Sequence, residues 1–124
     1  MTALSLRGVN VLIVEDNYVV ASALQYLIEG YDGAVTAIVP TVARALDVLG
    51  TGRVDIAILD VNLQGNSVAP LAEHLQRCGI PFVFVTGYAD PALLPEHLRG
   101  YPRFAKPVEA ERLVEAMLAL LPTA

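Results

Sequence analysis

The chain has one cysteine, Cys78, and one lysine, Lys106, and nowhere does it carry a long apolar run. A single cysteine closes no intrachain disulfide and is too few for a cysteine-based metal centre. The ~18–20 uninterrupted apolar residues of a membrane-spanning helix are absent. Charge is also scarce: charged side chains make up 17% of the 124 residues, against ~25% in an average soluble chain. Their balance is acidic, 8 basic against 13, for a net charge of −5. A general nucleic-acid binder needs a basic face, so this balance argues against that class. Residues 1–8 lack a cationic start followed by an apolar stretch, so no secretory signal is expected. The expected location is the cytoplasm.

Apolar residues are abundant, at 55% of the chain, which supplies a core and excludes disorder. The length suits one domain over residues 1–124, with no room for a second. Two periodicities alternate along it. Residues 9–14, 54–59 and 80–85 are short β-branched or aromatic runs, and residues 34–39 are a weaker one. Such near-continuous apolar strands suit a parallel sheet covered on both faces. Between them, apolar residues recur at helical spacing: Val20, Leu24, Leu27 and Ile28; Val42, Ala45, Leu46 and Leu49; Val68, Leu71, Ala72 and Leu75; Leu113, Met117, Leu120 and Leu121. Thr41 and Ser67 are candidate N-caps, and Gly30, Gly50 and Gly79 fall near helix ends. Asp90-Pro91 starts a fourth helix that Pro95 and Gly100-Tyr101-Pro102 keep short and weak. A last strand, residues 103–105, precedes the final helix. The repeated β-α order predicts an α/β doubly wound sheet with right-handed crossovers.

In such a sheet, ligands bind beyond the carboxyl ends of the strands. Those ends carry Glu15-Asp16, Asp60, Thr86-Gly87 and Lys106-Pro107. Three carboxylates gathered there repel one another, and burial raises their pKa values unless a cation joins them. Mg²⁺ suits this set, as a hard ion that takes a few carboxylate oxygens and completes its shell with water and phosphate oxygens. Lys106 and the Thr86 hydroxyl would then donate to the other oxygens of a phosphoryl group, with Gly87 leaving room and an open backbone N–H. A carboxylate in such a cluster can itself accept phosphoryl. Seven of the eight basic residues are arginine, so the lone ammonium at a strand end suits a point contact to phosphate or carboxylate.

Taken singly, each of these residues reads as an ordinary strand end or turn. In this order, Val11-Leu12-Ile13-Val14-Glu15-Asp16-Asn17, Ile58-Leu59-Asp60-Val61-Asn62, Phe84-Val85-Thr86-Gly87 and Ala105-Lys106-Pro107 resemble the receiver domain of two-component response regulators over essentially the whole chain. The resemblance implies a flavodoxin-like fold, a five-stranded parallel sheet of order 2-1-3-4-5 with five helices. It implies Asp60 as phospho-acceptor from a sensor histidine kinase or a histidine phosphotransfer protein. It further implies Mg²⁺ held by Glu15, Asp16, Asp60 and the backbone carbonyl of Asn62, phosphoryl oxygens held by Thr86 and Lys106, and a cis bond before Pro107. Where common receivers place an aromatic switch residue, three before the lysine, this chain has Arg103. Their usual proline after the acceptor loop is missing, with Gln64-Gly65 in that region. Phe84-Val85-Thr86-Gly87-Tyr88, with Val85 for alanine, is similar to a Phe-Ala-Thr-Gly subclass of alphaproteobacterial regulators that lacks the aromatic switch. Arg103 or Tyr101 is the candidate replacement.

The expected activity is a stand-alone switch that acts by binding an output protein or by draining phosphoryl groups from a kinase, with a homodimer also open and no nucleic acid or membrane as partner. An alternative is a small Mg²⁺-dependent phosphohydrolase with Asp60 as transient nucleophile, although position 62 offers an amide where a general acid/base would stand. A flavodoxin-like cofactor binder is disfavoured because Glu15-Asp16-Asn17-Tyr18 is acidic and lacks glycine. His74 and His97 lack metal-ligand spacing and read as solvated, Cys78 reads as an idle thiol, and Asp55 lies at the wrong end of its strand.

Overall fold

A computed structural model describes residues 4–63, 66–87 and 94–122. The elements run β1 (Asn10–Val14), α1 (Tyr18–Gly30), β2 (Ala34–Val39), α2 (Val42–Thr51), β3 (Ile56–Asp60), β4 (Asn62–Leu63), β5 (Asn66–Ser67), α3 (Ala69–Cys78), β6 (Phe82–Thr86), β7 (Arg103–Ala105) and α4 (Ala110–Leu120). Five strands form one sheet in the order β2-β1-β3-β6-β7, all neighbours parallel. The expected doubly wound architecture is therefore present.

Alternation along the central strands divides the core in two. Leu12, Val14, Ala57, Leu59, Phe82 and Phe84 face α2 and α3, where Ala45, Leu71, Ala72 and Leu75 cover them. Val11, Ile13, Ile56, Ile58, Val83 and Val85 face α1 and α4, meeting Leu24, Ile28, Leu113, Val114 and Met117. Strands buried on both faces carry no polar side, so their sequences read as unbroken apolar runs. The edge strand β2 differs. Its register with β1 slips between Val35 and Ala37, leaving Thr36 as an extra residue, and the Thr36 hydroxyl donates to the Arg53 carbonyl at 2.6 Å. The slip is a β-bulge.

Several local expectations change. Leu46 lies on the outer side of α2 and is exposed, while Ala45 is the buried residue of that helix. Thr41 does cap α2, accepting from the Arg44 N–H at 3.2 Å. Ser67 instead stands one residue outside the cap of α3, at Val68, and accepts from the Ala69 N–H at 3.1 Å. Gly79 ends α3 with φ +72°, a left-handed conformation that glycine adopts without a Cβ penalty. The antiparallel β4–β5 pair is two residues per strand, too short for any periodicity to announce it. Asp90-Pro91, Tyr88 and Gln64-Gly65 lie outside the described residues. What is described of the short fourth helix is one 3₁₀ turn, Glu96–Leu98, anchored by buried Leu94 and Leu98.

At the amino end of the sheet, Asp55 joins β3 to β1. One carboxylate oxygen accepts from both the backbone N–H and the side-chain amide of Asn10, at 2.7 and 2.9 Å, and Arg53 lies 3.7 Å from the other. The backbone bond from Asn10 is the main influence holding the Asp55 carboxyl below its ordinary 3.8. A depressed folded-state pKa means that this contribution is complete above pH 3.8 and disappears as pH falls through the folded value. Asp55→Ala is expected to cost about 1–2 kcal/mol at neutral pH. In urea unfolding the gap from the native chain should close on acidification below 3.8; a gap independent of pH would refute the assignment.

Candidate functional site

The carboxyl ends of β1, β3, β6 and β7 meet on one rim, because parallel strands all deliver their last residues to the same side. β1 hands over to Glu15 and Asp16, and β3 ends on Asp60. Glu15 and Asp60 are 3% and 6% exposed, deep burial for carboxylates, and Asp16 is half-buried. One oxygen from each of Glu15, Asp16 and Asp60 lies within 4.8 Å of the others. Asn17 follows as the N-cap of α1, its side-chain oxygen accepting from the N–H groups of Val19 and Val20. Its own N–H donates to Glu15 Oε1 at 3.1 Å, so the start of α1 also orients the first carboxylate. Sequence reasoning gave Asn17 no role, although an asparagine ahead of a helical repeat is a recognisable cap signal.

Lys106 crosses this rim. Its Nζ lies 2.9 Å from Glu15 Oε2 and 3.5 Å from Asp60 Oδ2. Glu15 Oε2 is fully buried and makes no well-directed hydrogen bond, so its contact with the ammonium is one of charge. Burial pushes the Glu15 carboxyl up, against the lowering contacts with Lys106 and the Asn17 N–H, and the Asp60 charge pushes it further. For Lys106, burial acts to lower the pKa. The contact with Glu15 and the charges of Asp60 and Glu15 outweigh it, so the ammonium is held above its ordinary 10.5.

Other expected site residues join by their backbones. The Asn62 N–H donates to Asp60 Oδ1 at 3.3 Å. Thr86, 6% exposed at the end of β6, accepts from the Lys106 N–H through its carbonyl at 3.0 Å. Gly87 is exposed beside it, with open space where a Cβ would stand. The Lys106–Pro107 peptide bond is cis. Arg103 is exposed on β7. Tyr101 stacks on Phe82, with ring centroids 4.1 Å apart, and its hydroxyl accepts from Gln76 Nε2 at 3.0 Å. His97 is paired rather than merely solvated: its Nε2 lies 2.9 Å from Glu73 on α3.

Hard oxygen donors with one buried, poorly satisfied carboxylate oxygen fit a small divalent cation such as Mg²⁺. A doubly wound sheet with an acidic cluster and a lysine at its switch-point rim is a frame for binding a cation and a phosphoryl group. Residues 11–118 match the response regulator receiver domain model, and the chain belongs to that family. No curated protein matches it. Among solved structures, it is similar to SdrG from Sphingomonas melonis Fr1, with 39% identity over 97% of this chain and 98% of that one, at a TM-score of 0.80. The BeF3-activated conformation of SdrG, from Pseudomonas melonis Fr1, matches at 38% identity over 98% and 100%, with a TM-score of 0.77. The receiver domain of a modulated diguanylate cyclase from Desulfovibrio desulfuricans G20 matches at 29% identity, 90% and 91% coverage and a TM-score of 0.80. Among the described residues no helix is long and apolar enough to cross a membrane.

Proposed function

We propose that Asp60 accepts a phosphoryl group from the histidine of a sensor kinase or phosphotransfer protein, and that residues 1–124 work as a single cytoplasmic receiver. The observation that carries this reading is the Glu15, Asp16 and Asp60 cluster with the Lys106 ammonium across it. Mg²⁺ would be held by Glu15, Asp16, Asp60 and the Asn62 carbonyl, and when bound it offsets the repulsion between two anions, the acceptor and the phosphoryl group. Lys106 is poised to leave Asp60 for a phosphoryl oxygen, since its looser contact is the 3.5 Å one. The Thr86 hydroxyl and the Gly87 N–H supply further donors. Drawing Thr86 toward the phosphoryl group would bias the Asp90–Gly100 segment and the surface beside the last helix that is offered to a partner. That a similar protein has a BeF3-activated conformation supports the switch.

The chain fits the Phe-Ala-Thr-Gly subclass, with Arg103 exposed where an aromatic switch would stand. Tyr101 is already stacked and hydrogen-bonded, which favours a fixed role over a swinging one. A phosphodonor protein has a place to lie. An apolar furrow of about 340 Å³ runs between α1 and residues 106–108 and has Lys106 in its wall. Beside it Tyr18 and Val19 are 84% and 75% exposed. Output would come through a bound partner, a second copy, or the draining of phosphoryl groups from a shared kinase. Nothing in the geometry favours the phosphohydrolase alternative.

Incubation with acetyl phosphate, followed by intact mass, tests the chemistry. The expected result is one phosphoryl adduct that requires Mg²⁺ and disappears in Asp60→Asn. An adduct that persists in Asp60→Asn would move the acceptor elsewhere.

A further inference from the structure

The link between the acidic rim and the first turn of α1 runs through one exposed residue, Asn17. Its side-chain Oδ1 accepts from the backbone N–H groups of Val19 and Val20, at 3.0 and 3.2 Å. Its carbonyl accepts the first helical bond, from the Ala21 N–H at 2.9 Å. These bonds hold Asn17 in the extended conformation of an N-cap, with φ −90° and ψ 114°. The same conformation aims its N–H back at Glu15 Oε1, 3.1 Å away. Glu15 is left with one oxygen free of well-directed hydrogen bonds, the buried Oε2 that lies 2.9 Å from Lys106 Nζ. The peptide plane that carries the Asn17 N–H also joins it to Asp16, so the cap fixes the backbone beside the second carboxylate as well.

Taking the cluster as the Mg²⁺ site of the proposed receiver, we propose that Asn17 is a positioning residue for it. Without touching the ion, its cap sets the affinity of Glu15, Asp16 and Asp60 for Mg²⁺. A glutamate side chain has three rotatable bonds, and binding a cation requires freezing them. The Asn17 N–H supplies that order in advance, as partners beyond the ligands do in metal sites generally. In Asn17→Ala the first N–H groups of α1 lose their acceptor, so the turn frays and the bond to Glu15 loses its aim. Asn17→Ser keeps a capping oxygen and with it the aim.

Titration with Mg²⁺, followed by NMR at the Asn62 amide that donates to Asp60, tests this. Asn17→Ala is expected to raise the Mg²⁺ Kd about 10-fold, the lower end of the range for such partners, and Asn17→Ser to return it close to the native value. Thr41→Ala removes a cap of the same kind from α2, where the bond goes to the Arg44 N–H and leads to no carboxylate of the cluster. It should lower the urea midpoint much as Asn17→Ala does and leave the Mg²⁺ Kd unchanged. An Asn17→Ala Kd equal to the native one, an Asn17→Ser as weak as Asn17→Ala, or an equal weakening in Thr41→Ala would overturn the positioning role while leaving the Mg²⁺ site standing. A native Asn62 amide that does not respond to Mg²⁺ would overturn the site itself, and the role with it.

Discussion

Replacing Lys106 with methionine is expected to destabilise the metal-free protein by about 2–3 kcal/mol and to make its stability strongly dependent on Mg²⁺. Removing one partner of a buried ion pair costs about 3–5 kcal/mol, because the charge left behind is uncompensated. Here the orphan is Glu15, whose side chain is 1% exposed, with Asp60 at 8% beside it. The Lys106 side chain is 20% exposed, which places the cost toward the lower end. A divalent cation bound between the same carboxylates would replace the missing charge. Binding to the folded state alone adds about 2.7 kcal/mol when the ligand is present at 100 times its Kd. Urea unfolding of the native chain and Lys106→Met, each in chelator and in Mg²⁺, separates the contributions. Equal losses in both conditions would mean that the ammonium and the cation do not share the carboxylates.

Phe82→Ala is expected to cost about 3–5 kcal/mol, the usual range for deleting a fully buried aromatic ring. Phe82 is fully buried at the start of β6. Its ring meets the edge of Phe84, with centroids 5.5 Å apart, and stacks on Tyr101. The loss therefore includes a cavity between the sheet and α3 and the support of the segment that leads into β7. Tyr101→Ala should cost less, because its ring is half-exposed and leaves a gap that solvent can fill. A Phe82→Ala loss below about 1 kcal/mol in urea unfolding would mean that the surrounding side chains collapse into the space.

The sheet was legible in the sequence because its central strands are buried on both faces: Val11 to Val14, Ile56 to Leu59 and Phe82 to Val85 contain no polar residue. Helix caps were less so. Thr41 obeyed its local signal, whereas Ser67 lies in the β4–β5 pair, and backbone pairing displaced the helix start to Ala69. For the rim, the strand-end pattern identified Glu15, Asp16, Asp60 and Lys106, because parallel strands must deliver their ends together. It did not reveal that the ammonium sits closer to Glu15 than to Asp60, since that depends on side-chain length and on the turn at Asn17. Nor could it pair His97 with Glu73, 24 residues away, because nothing in local spacing records a contact between a 3₁₀ turn and a separate helix.

The slipped register at Thr36 has a bearing on how molecules of this chain meet one another. β2 contains six residues, none of them charged and none proline, on an open edge of the sheet. A straight strand of that composition is a template on which a neighbouring chain can grow, residue by residue, toward a fibril. The bulge puts a step in that template: an incoming strand aligned with Ala34 and Val35 falls out of phase at Ala37. Crowding such molecules together therefore brings no continuous ladder into contact, and one offset residue defends the edge that charge elsewhere would have defended.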